Sequence, residues 1–392
     1  MDIDERIRRR QRGRSDRRLV VDYERLSPVS HVEEPVGRGP IIEELLDHFT
    51  PVFDGELPPN GYLWGPKGAG KSAIVTVLVD RLASLSLQPG SVIHTATRAQ
   101  VTTIPQFVYV DAREADSRFA LYRSILDGLV EESVPTQGVG TDWMQERLEN
   151  ALVAEESGAV VALDHVSEAG TNDVGWLVEA VAPFDTVRWL AIGREPPDAG
   201  MPVAAADVFA VDRYQDRLLV DVVMTRATEG LPGESLEHAS ARRIAEWAEG
   251  DAHDALAALL SAADVAVTSD RSHIEQADVG QGIDAVPRPC VSLGQLFSLP
   301  ENRQAVLRSL AECDREELAS VTTAAAAIAA DETLDLSSGT VERFLYQLAE
   351  SGVIERVPRE NTSGKGRPPS RVELRFPTRA FCRLYETKSA NR

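Results

Sequence analysis

Cysteines and long apolar runs are both scarce in this 392-residue sequence. The three cysteines lie far apart and fit neither a disulfide framework nor a metal-binding knuckle, so we expect buried, reduced thiols at Cys290, Cys313 and Cys382. No segment approaches the roughly eighteen apolar residues of a transmembrane helix. The first residues also lack the apolar centre of a secretion signal. These absences favour a cytoplasmic protein with no membrane partner.

Lysine is also scarce, with 4 copies against 62 acids, and the formal net charge is −21. An acidic, lysine-poor surface resembles that of proteins from halophilic archaea, where net charge reports adaptation to salt more than the choice of partner. The charge is also uneven. Residues 1–20 contain eight arginines and four acids, and residues 356–392 contain ten bases and three acids. Both ends are locally basic, which suits contact with a polyanion.

A glycine-rich motif is the strongest signal in the chain, and it reads Gly65-Pro66-Lys67-Gly68-Ala69-Gly70-Lys71-Ser72. It follows an apolar run and opens into a helical pattern, the context in which G-x-x-x-x-G-K-[ST] indicates a phosphate-binding loop. The glycines let backbone N–H groups face a phosphate, Lys71 reaches the terminal phosphates, and Ser72 binds magnesium. The motif predicts binding of ATP or ADP with Mg²⁺. The alternative is a plain loop with chance glycines.

Apolar, β-branched runs predict strands that alternate with helices. The strand candidates are 107–111, 159–164 and 187–193, and helical patterns occupy 118–133, 141–156 and 173–183. This alternation implies an α/β fold with a parallel sheet covered on both faces. Asp164 ends its strand, in such a sheet, next to the P-loop, where we expect the carboxylate to hold Mg²⁺ through water. The alternative is an Asp that caps the following helix.

The sequence predicts four parts: a basic arm at 1–20, a nucleotide-binding core at 21–205, a helical lid at 206–285 and a winged helix-turn-helix at 286–392. The arm has no apolar period, so it is either a phosphate-contacting arm or a solvated tail. Helical patterns at 234–248 and 251–267 predict a small bundle. The glycines and prolines of 280–289 predict a linker.

The last hundred residues show helices followed by two strands around a basic, glycine- and proline-rich tip at 361–369. In a winged helix the third helix enters the major groove and the wing touches the backbone or minor groove. We therefore expect double-stranded DNA to contact five side chains: Arg343, Gln347, Lys365, Arg367 and Arg371. The alternative is a winged helix that contacts protein.

This order of P-loop, magnesium acid, helical lid and winged helix resembles the archaeal Orc/Cdc-type DNA replication initiators. The lid and winged-helix segments that carry the resemblance are Val208-Phe209 with Tyr214, Arg226-Ala227, Ile244-Ala245, Gly250-Asp251-Ala252, 344–348, 352–354 and Gly366-Arg367. The resemblance implies an AAA+ fold and a nucleotide contact from Tyr214. It also implies binding of origin-like duplex DNA, recruitment of the replicative helicase and association with paralogous initiators.

The sequence departs from the family pattern at four positions. His165 stands where the family usually has a second acid that polarises water, and Arg194 stands where an Asn is usual. His253 and Asp254 replace an Arg that touches the γ-phosphate, and residues 201–207 contain no Arg to act on a neighbouring subunit. The resemblance therefore implies retained nucleotide binding with slow or lost hydrolysis, in which Arg194 could still supply a positive charge.

Three functions are compatible with this pattern. The first is a DNA-binding replication initiator that holds nucleotide as a structural or slowly cycling ligand. The second is a nucleotide-gated transcription or plasmid-copy regulator that uses the same winged helix on a promoter. The third is an active AAA+ ATPase motor, which the missing catalytic acid disfavours.

Overall fold

The structure, a computed structural model, describes residues 19–86, 104–154, 158–198, 200–203, 205–331, 334–358 and 370–390. The chain divides into two compact units. The first unit is His31–Arg213, and the second is formed by the residues on either side of it. Among the described residues, no helix combines the length and apolarity needed to cross a membrane.

The strands are β1 (Gly61–Trp64), β2 (Gln106–Asp111), β3 (Ala159–Asp164), β4 (Val187–Gly193), β5 (Asp207–Ala210), β6 (Ile354–Pro358) and β7 (Ser370–Leu374). The helices are α1 (Tyr23–Leu26), α2 (Gly39–His48), α3 (Lys71–Ser86), α4 (Arg118–Leu129), α5 (Thr141–Ala154), α6 (Val174–Val181), α7 (Asp216–Gly230), α8 (His238–Ala248), α9 (Ala252–Thr268), α10 (Gln276–Asp284), α11 (Leu293–Phe297), α12 (Glu301–Leu310), α13 (Val321–Ala329), α14 (Ser338–Glu350) and α15 (Thr378–Ala390). Short 3₁₀ helices occupy Thr50–Asp54 and Glu317–Ala319.

The unit His31–Arg213 is built on a five-stranded parallel sheet in the order β2-β3-β4-β1-β5. All six residues of β3 are buried, as expected for a central strand with helices on both faces. Two apolar clusters, one on each face, pack helices α2–α6 against the sheet. The predicted α/β fold is confirmed, and β3 and β4 occupy the residues that the apolar runs predicted.

β4 lies between β3 and β1, so the strand that ends in Asp164 and the P-loop strand are not direct neighbours. One prediction about this sheet was wrong. Asp207–Ala210, assigned to the lid from the sequence, instead pairs with β1 as the edge strand β5. Strand order depends on pairing between distant segments, and a four-residue edge strand is too short to show a period.

The second unit contains one continuous apolar core that includes α1, the helical bundle and the helices that follow it. The short helix α1 belongs here because Leu26 is fully buried in this core and the backbone N–H of Val21 donates to the carbonyl of Gly230 at 2.9 Å. In the same unit, Asp264 of α9 is buried, and its carboxylate contacts Arg379 and Arg383 of α15 at 2.9 and 2.5 Å. Residues 19–30 therefore pack with the C-terminal helices.

The predicted linker at 280–289 was wrong in its first half, because α10 continues to Asp284. A Cβ on Gly282 would lie 2.5 Å from the carbonyl oxygen of Ala258, so this glycine permits close packing of α10 on the alanine-rich helix α9. A glycine that allows close approach and a glycine that loosens a linker look the same in a sequence.

Helices α11–α14 followed by the antiparallel hairpin β6–β7 have the arrangement expected of a winged helix. Helix α15, which the sequence pattern did not predict, follows the hairpin and buries Phe381 in the core. The hairpin tip with Lys365 and Arg367 lies outside the described residues, as do residues 1–18 of the basic arm. The three cysteines are free thiols, but they are only partly buried, which corrects the expectation that they are buried.

Candidate nucleotide-binding site

The backbone of the P-loop requires glycine at three positions. Gly65, Gly68 and Gly70 have φ angles of 155, 71 and 84°, which L-residues rarely adopt. At Gly65 an added Cβ would also lie 2.2 Å from the carbonyl oxygen of Val211. The loop thus connects β1 to α3 in a tight turn whose N–H groups and helix N-terminus suit an anion.

Lys71 and Ser72, the first residues of α3, place a cation and a hydroxyl at this turn. The side chain of Lys71 is buried, and its Nζ donates to the carbonyl oxygens of Gly65 and Pro66 at 2.5 and 3.0 Å. The Ser72 hydroxyl hydrogen-bonds the carboxylate of Asp164. The structure therefore brings together the predicted phosphate-binding and metal-binding residues, although β4 separates their strands.

Asp164 is a buried carboxylate held by several hydrogen bonds. It is 1% exposed, and it accepts hydrogen bonds from the Tyr109 hydroxyl at 3.0 Å and the His165 backbone N–H at 2.7 Å. Burial alone would raise its pKa, but the charge of His165 and the hydrogen bonds from Ser72, His165 and Tyr109 lower it. The Ser72 hydroxyl and the Asp164 carboxylate are the hard oxygen donors that Mg²⁺ prefers.

His165 lies in a left-handed backbone conformation, with φ of 66°, directly after β3. Its Nδ1 is 3.1 Å from Oε1 of Glu168, and its Nε2 is 3.5 Å from Oδ2 of Asp164. Burial would lower the pKa of His165, but the two carboxylates outweigh it and raise the pKa. The imidazole at the family's acid position therefore has both ring nitrogens directed at carboxylates, which favour its protonated form.

Glu168 completes this cluster, and sequence reasoning missed it. Arg194, at the end of β4, donates to both carboxylate oxygens of Glu168, from Nε at 2.8 Å and from Nη2 at 2.6 Å. Burial would raise the pKa of Glu168, but hydrogen bonding to His165 and the charges of His165, Arg194 and Arg113 lower it to about 2. Both departures from the family pattern, His165 and Arg194, thus bind one carboxylate.

A second missed residue, Arg113, lies beside this cluster just after β2. Arg113 is mostly buried, and its Nε and Nη2 donate to the carboxylate of Asp111, with Nη2 at 2.5 Å from Oδ2. Both missed residues could have been identified from the sequence, because each is a polar residue that follows shortly after a predicted strand. In a parallel sheet the carboxyl ends of β2, β3 and β4 share one edge, so polar residues just after each strand lie together.

The comparisons with known proteins agree with this geometry. Residues 34–182 match the family model described as the AAA ATPase domain. The ORC1-type DNA replication protein of Thermococcus kodakarensis is 23% identical over 292 residues, 70% of this chain and 67% of that protein. ORC1-type DNA replication protein 1 of Halobacterium salinarum is 24% identical over 60% of this chain and 72% of that protein. Other curated relatives are matched over 28% or 34% of their length.

The fold agrees as well. The structure of the Aeropyrum pernix ORC1 protein in complex with DNA matches 96% of this chain and 100% of that one, with a TM-score of 0.60 at 18% identity. Cdc6p from Pyrobaculum aerophilum matches 94% of this chain with a TM-score of 0.54. The chain thus contains a region that matches the AAA ATPase domain, and it is similar at low identity to the Orc/Cdc-type initiators, whose fold it shares.

A third departure from the family pattern, His253, lies in the second unit. Its Nε2 accepts the backbone N–H of Leu293 at 2.9 Å, so the neutral ring carries its proton on Nδ1, which donates to Asp254 at 3.1 Å. The ligand atoms of His253, Asp254 and Cys290 lie within 4.8 Å of one another. His253 thus forms a hydrogen-bonded link between α9 and α11.

Four further predicted site residues also lie in the second unit, namely Tyr214, Arg343, Gln347 and Arg371. Tyr214 is buried, and its backbone N–H donates to the carbonyl of Gly250 at 3.2 Å, so its nucleotide contact stays a prediction. Arg343 and Gln347 are both on the exposed face of α14, as predicted for a DNA-reading helix. Arg371 of β7 is ion-paired with Glu373 of the same strand, which partly neutralises its charge.

Proposed function

We propose that this chain is an initiator-type protein that binds ATP or ADP with Mg²⁺ at its P-loop and origin-like duplex DNA through its winged helix, with hydrolysis slow or lost. The observation that carries the proposal is the cluster of Lys71, Ser72 and Asp164 at the positive-φ glycines of the loop. Its relatives are named as DNA replication proteins, and one structural neighbour was solved with DNA. These names support the DNA half of the proposal.

The residues present fit a magnesium-bound nucleotide. Ser72 and Asp164 supply hard oxygen donors, and Lys71 supplies a charge for the terminal phosphates. Bound magnesium would neutralise charge on the phosphates.

Slow hydrolysis follows from the charges around His165. A water molecule that attacks a phosphate needs a group that can orient it or accept its proton. The carboxylate neighbours of His165 raise its pKa, and its two ring nitrogens lie 3.1 and 3.5 Å from Glu168 and Asp164, so neither nitrogen is directed at a water molecule. Glu168, the carboxylate beside it, has a pKa of about 2 and is paired with Arg194, so it is a weak base. Neither group suits the role of the missing acid.

Nucleotide binding is tested with fluorescent ATP and ADP analogues in a potassium-rich buffer containing Mg²⁺. We expect Lys71→Ala to weaken binding at least about tenfold, since a lysine that touches the phosphates is lost. Lys388→Ala removes the same charge from α15 and should leave affinity unchanged. Failure of the wild-type protein to bind either analogue, or equal binding by Lys71→Ala, would disprove this half of the proposal.

Hydrolysis is tested by single-turnover measurement with radiolabelled ATP beside an Orc1-type relative that keeps an acid at the position of His165. We expect the relative to be faster by about 10²–10⁴, the usual contribution of a catalytic base. A wild-type rate equal to that of the relative, and lost on changing His165, would refute the argument.

Genomic footprinting distinguishes the initiator from the transcription or plasmid-copy regulator. Protection at repeats beside replication genes supports the initiator, and protection at unrelated promoters supports the regulator. Recruitment of the replicative helicase and association with paralogous initiators stay predictions of the family resemblance. Co-purification of either partner from the native host would test them.

A further inference from the structure

An arginine from a neighbouring helix holds Gln347, the polar residue on the exposed face of α14. Nη2 of Arg303, on α12, donates to Oε1 of Gln347 at 3.0 Å. A guanidinium group has only donors, so this contact fixes the amide with Oε1 towards Arg303 and its NH₂ group directed away. Gln347 is therefore oriented before any ligand arrives.

Arg303 and a second arginine, Arg343, lie beside the same aromatic ring. The guanidinium carbons of Arg303 and Arg343 lie 5.5 and 5.6 Å from the centre of the Phe344 ring. Among the residues that the structure describes, neither arginine forms an ion pair with an acidic side chain. Other arginines of this domain are paired with acids, including Arg371 with Glu373 and Arg375 with Glu355.

The chain as a whole carries a net charge of −21, yet these two arginines present positive charge beside one exposed helix face. Duplex DNA suits such a face, because each phosphate neutralises one cation and releases a counterion. An exposed helix face with a fixed side-chain amide also fits the major groove, where the outward NH₂ group can donate to an acceptor on a base edge, such as a purine N7.

We propose that Arg303 is a positioning residue for DNA recognition, orienting the Gln347 amide towards a base edge while Arg303 and Arg343 face the backbone phosphates. This inference rests on the proposed DNA binding by the winged helix and adds a residue from outside the reading helix. Gln347 supplies the base contact and Arg303 fixes its orientation. An acidic protein surface, the competing partner, would need the charge of Arg303 but not the orientation of the amide.

The test uses the full-length chain and a pool of 30-base-pair duplexes with randomised centres, selected by binding and sequenced. The variants are Gln347→Ala, Arg303→Met, which keeps a long apolar stem against Phe344, and Arg303→Lys, which keeps the charge and one donor. Arg315→Ala is the matched control, because it removes an exposed arginine from the same domain. Circular dichroism verifies the folding of each variant before selection.

We expect Gln347→Ala and Arg303→Met to lose preference at the same base position, by about tenfold, with no further loss in the double variant. Arg303→Met should also reduce the slope of log affinity against log salt by about one, and Arg303→Lys should restore that slope and part of the preference. Arg315→Ala should leave the preference unchanged.

Two outcomes would overturn the inference while the proposed function stands. In the first, Arg303→Met weakens binding to all duplexes but keeps the wild-type base preference, which would make Arg303 a phosphate contact only. In the second, the wild-type protein binds duplexes without any preference. Failure of the wild-type protein to bind any duplex is a different result, because it refutes the proposed DNA binding itself.

Discussion

Replacing Glu168 with glutamine should destabilise the unit His31–Arg213, because it removes the anion that holds two cations. Glutamine has nearly the same shape and keeps one acceptor oxygen, so the change tests charge more than packing. His165 and Arg194 both contact this carboxylate, at 3.1 Å and at 2.6 Å. The side chain of Glu168 is 9% exposed, so water replaces little of the lost interaction.

The expected size of the effect follows from the pKa of Glu168, which is lowered from 4.5 to about 2. A tenfold change in acid strength corresponds to about 1.4 kcal/mol, so ionisation of Glu168 contributes about 3 kcal/mol to the free energy of unfolding at pH 7. The folded pKa is depressed, so this contribution is complete above the unfolded value and is lost as the pH falls through the folded value. At pH 3 about half of it should remain.

Urea unfolding followed by tryptophan fluorescence measures this difference at constant salt. Four of the five tryptophans, at 64, 143, 176 and 189, lie in the unit that contains Glu168. Glu146→Gln, on the exposed face of α5, removes the same charge without a buried partner and should change stability by less than about 0.5 kcal/mol. It also controls for the relief of repulsion in an acidic chain.

The reasoning is refuted if Glu168→Gln and Glu146→Gln unfold with the same free energy at pH 7. An unchanged gap between Glu168→Gln and the wild type at pH 7 and pH 3 would also contradict it, because the effect would then not come from ionisation. The slope of free energy against urea must match among the three proteins for these comparisons to hold.

Two further changes test the loop and the second unit. Gly65→Ala should abolish nucleotide binding, because its Cβ would lie 2.2 Å from the Val211 carbonyl oxygen. Titration with a fluorescent ADP analogue measures this, and Gly138→Ala, at positive φ but in open space, is the control. Asp264→Asn should lower the free energy of unfolding by about 2 kcal/mol, less than for a fully buried pair because its two arginine partners are 30% and 39% exposed. Urea unfolding followed by fluorescence of the single tryptophan of that unit checks this. Wild-type stability would show that the ion pairs contribute nothing.

The sequence by itself determined the features that depend on neighbouring residues. The P-loop was readable because its function needs glycines, a lysine and a serine at fixed spacing between a strand and a helix. Strands β3 and β4 were readable because a strand buried on both faces is apolar throughout. Asp164 was identified for the same local reason, as the acid that ends such a strand.

Only the tertiary structure decided what those local elements meet. Glu168 and Arg194 are separated by 26 positions in the chain, and their ion pair exists because β3 and β4 are neighbours in the sheet. The insertion of β4 between β3 and β1, and the pairing of β5 with β1, follow from backbone hydrogen bonds between distant segments. Likewise, the contact of Arg303 with Gln347 depends on the packing of α12 near α14. Local patterns specify elements, whereas pairing and packing energies between distant segments specify the site.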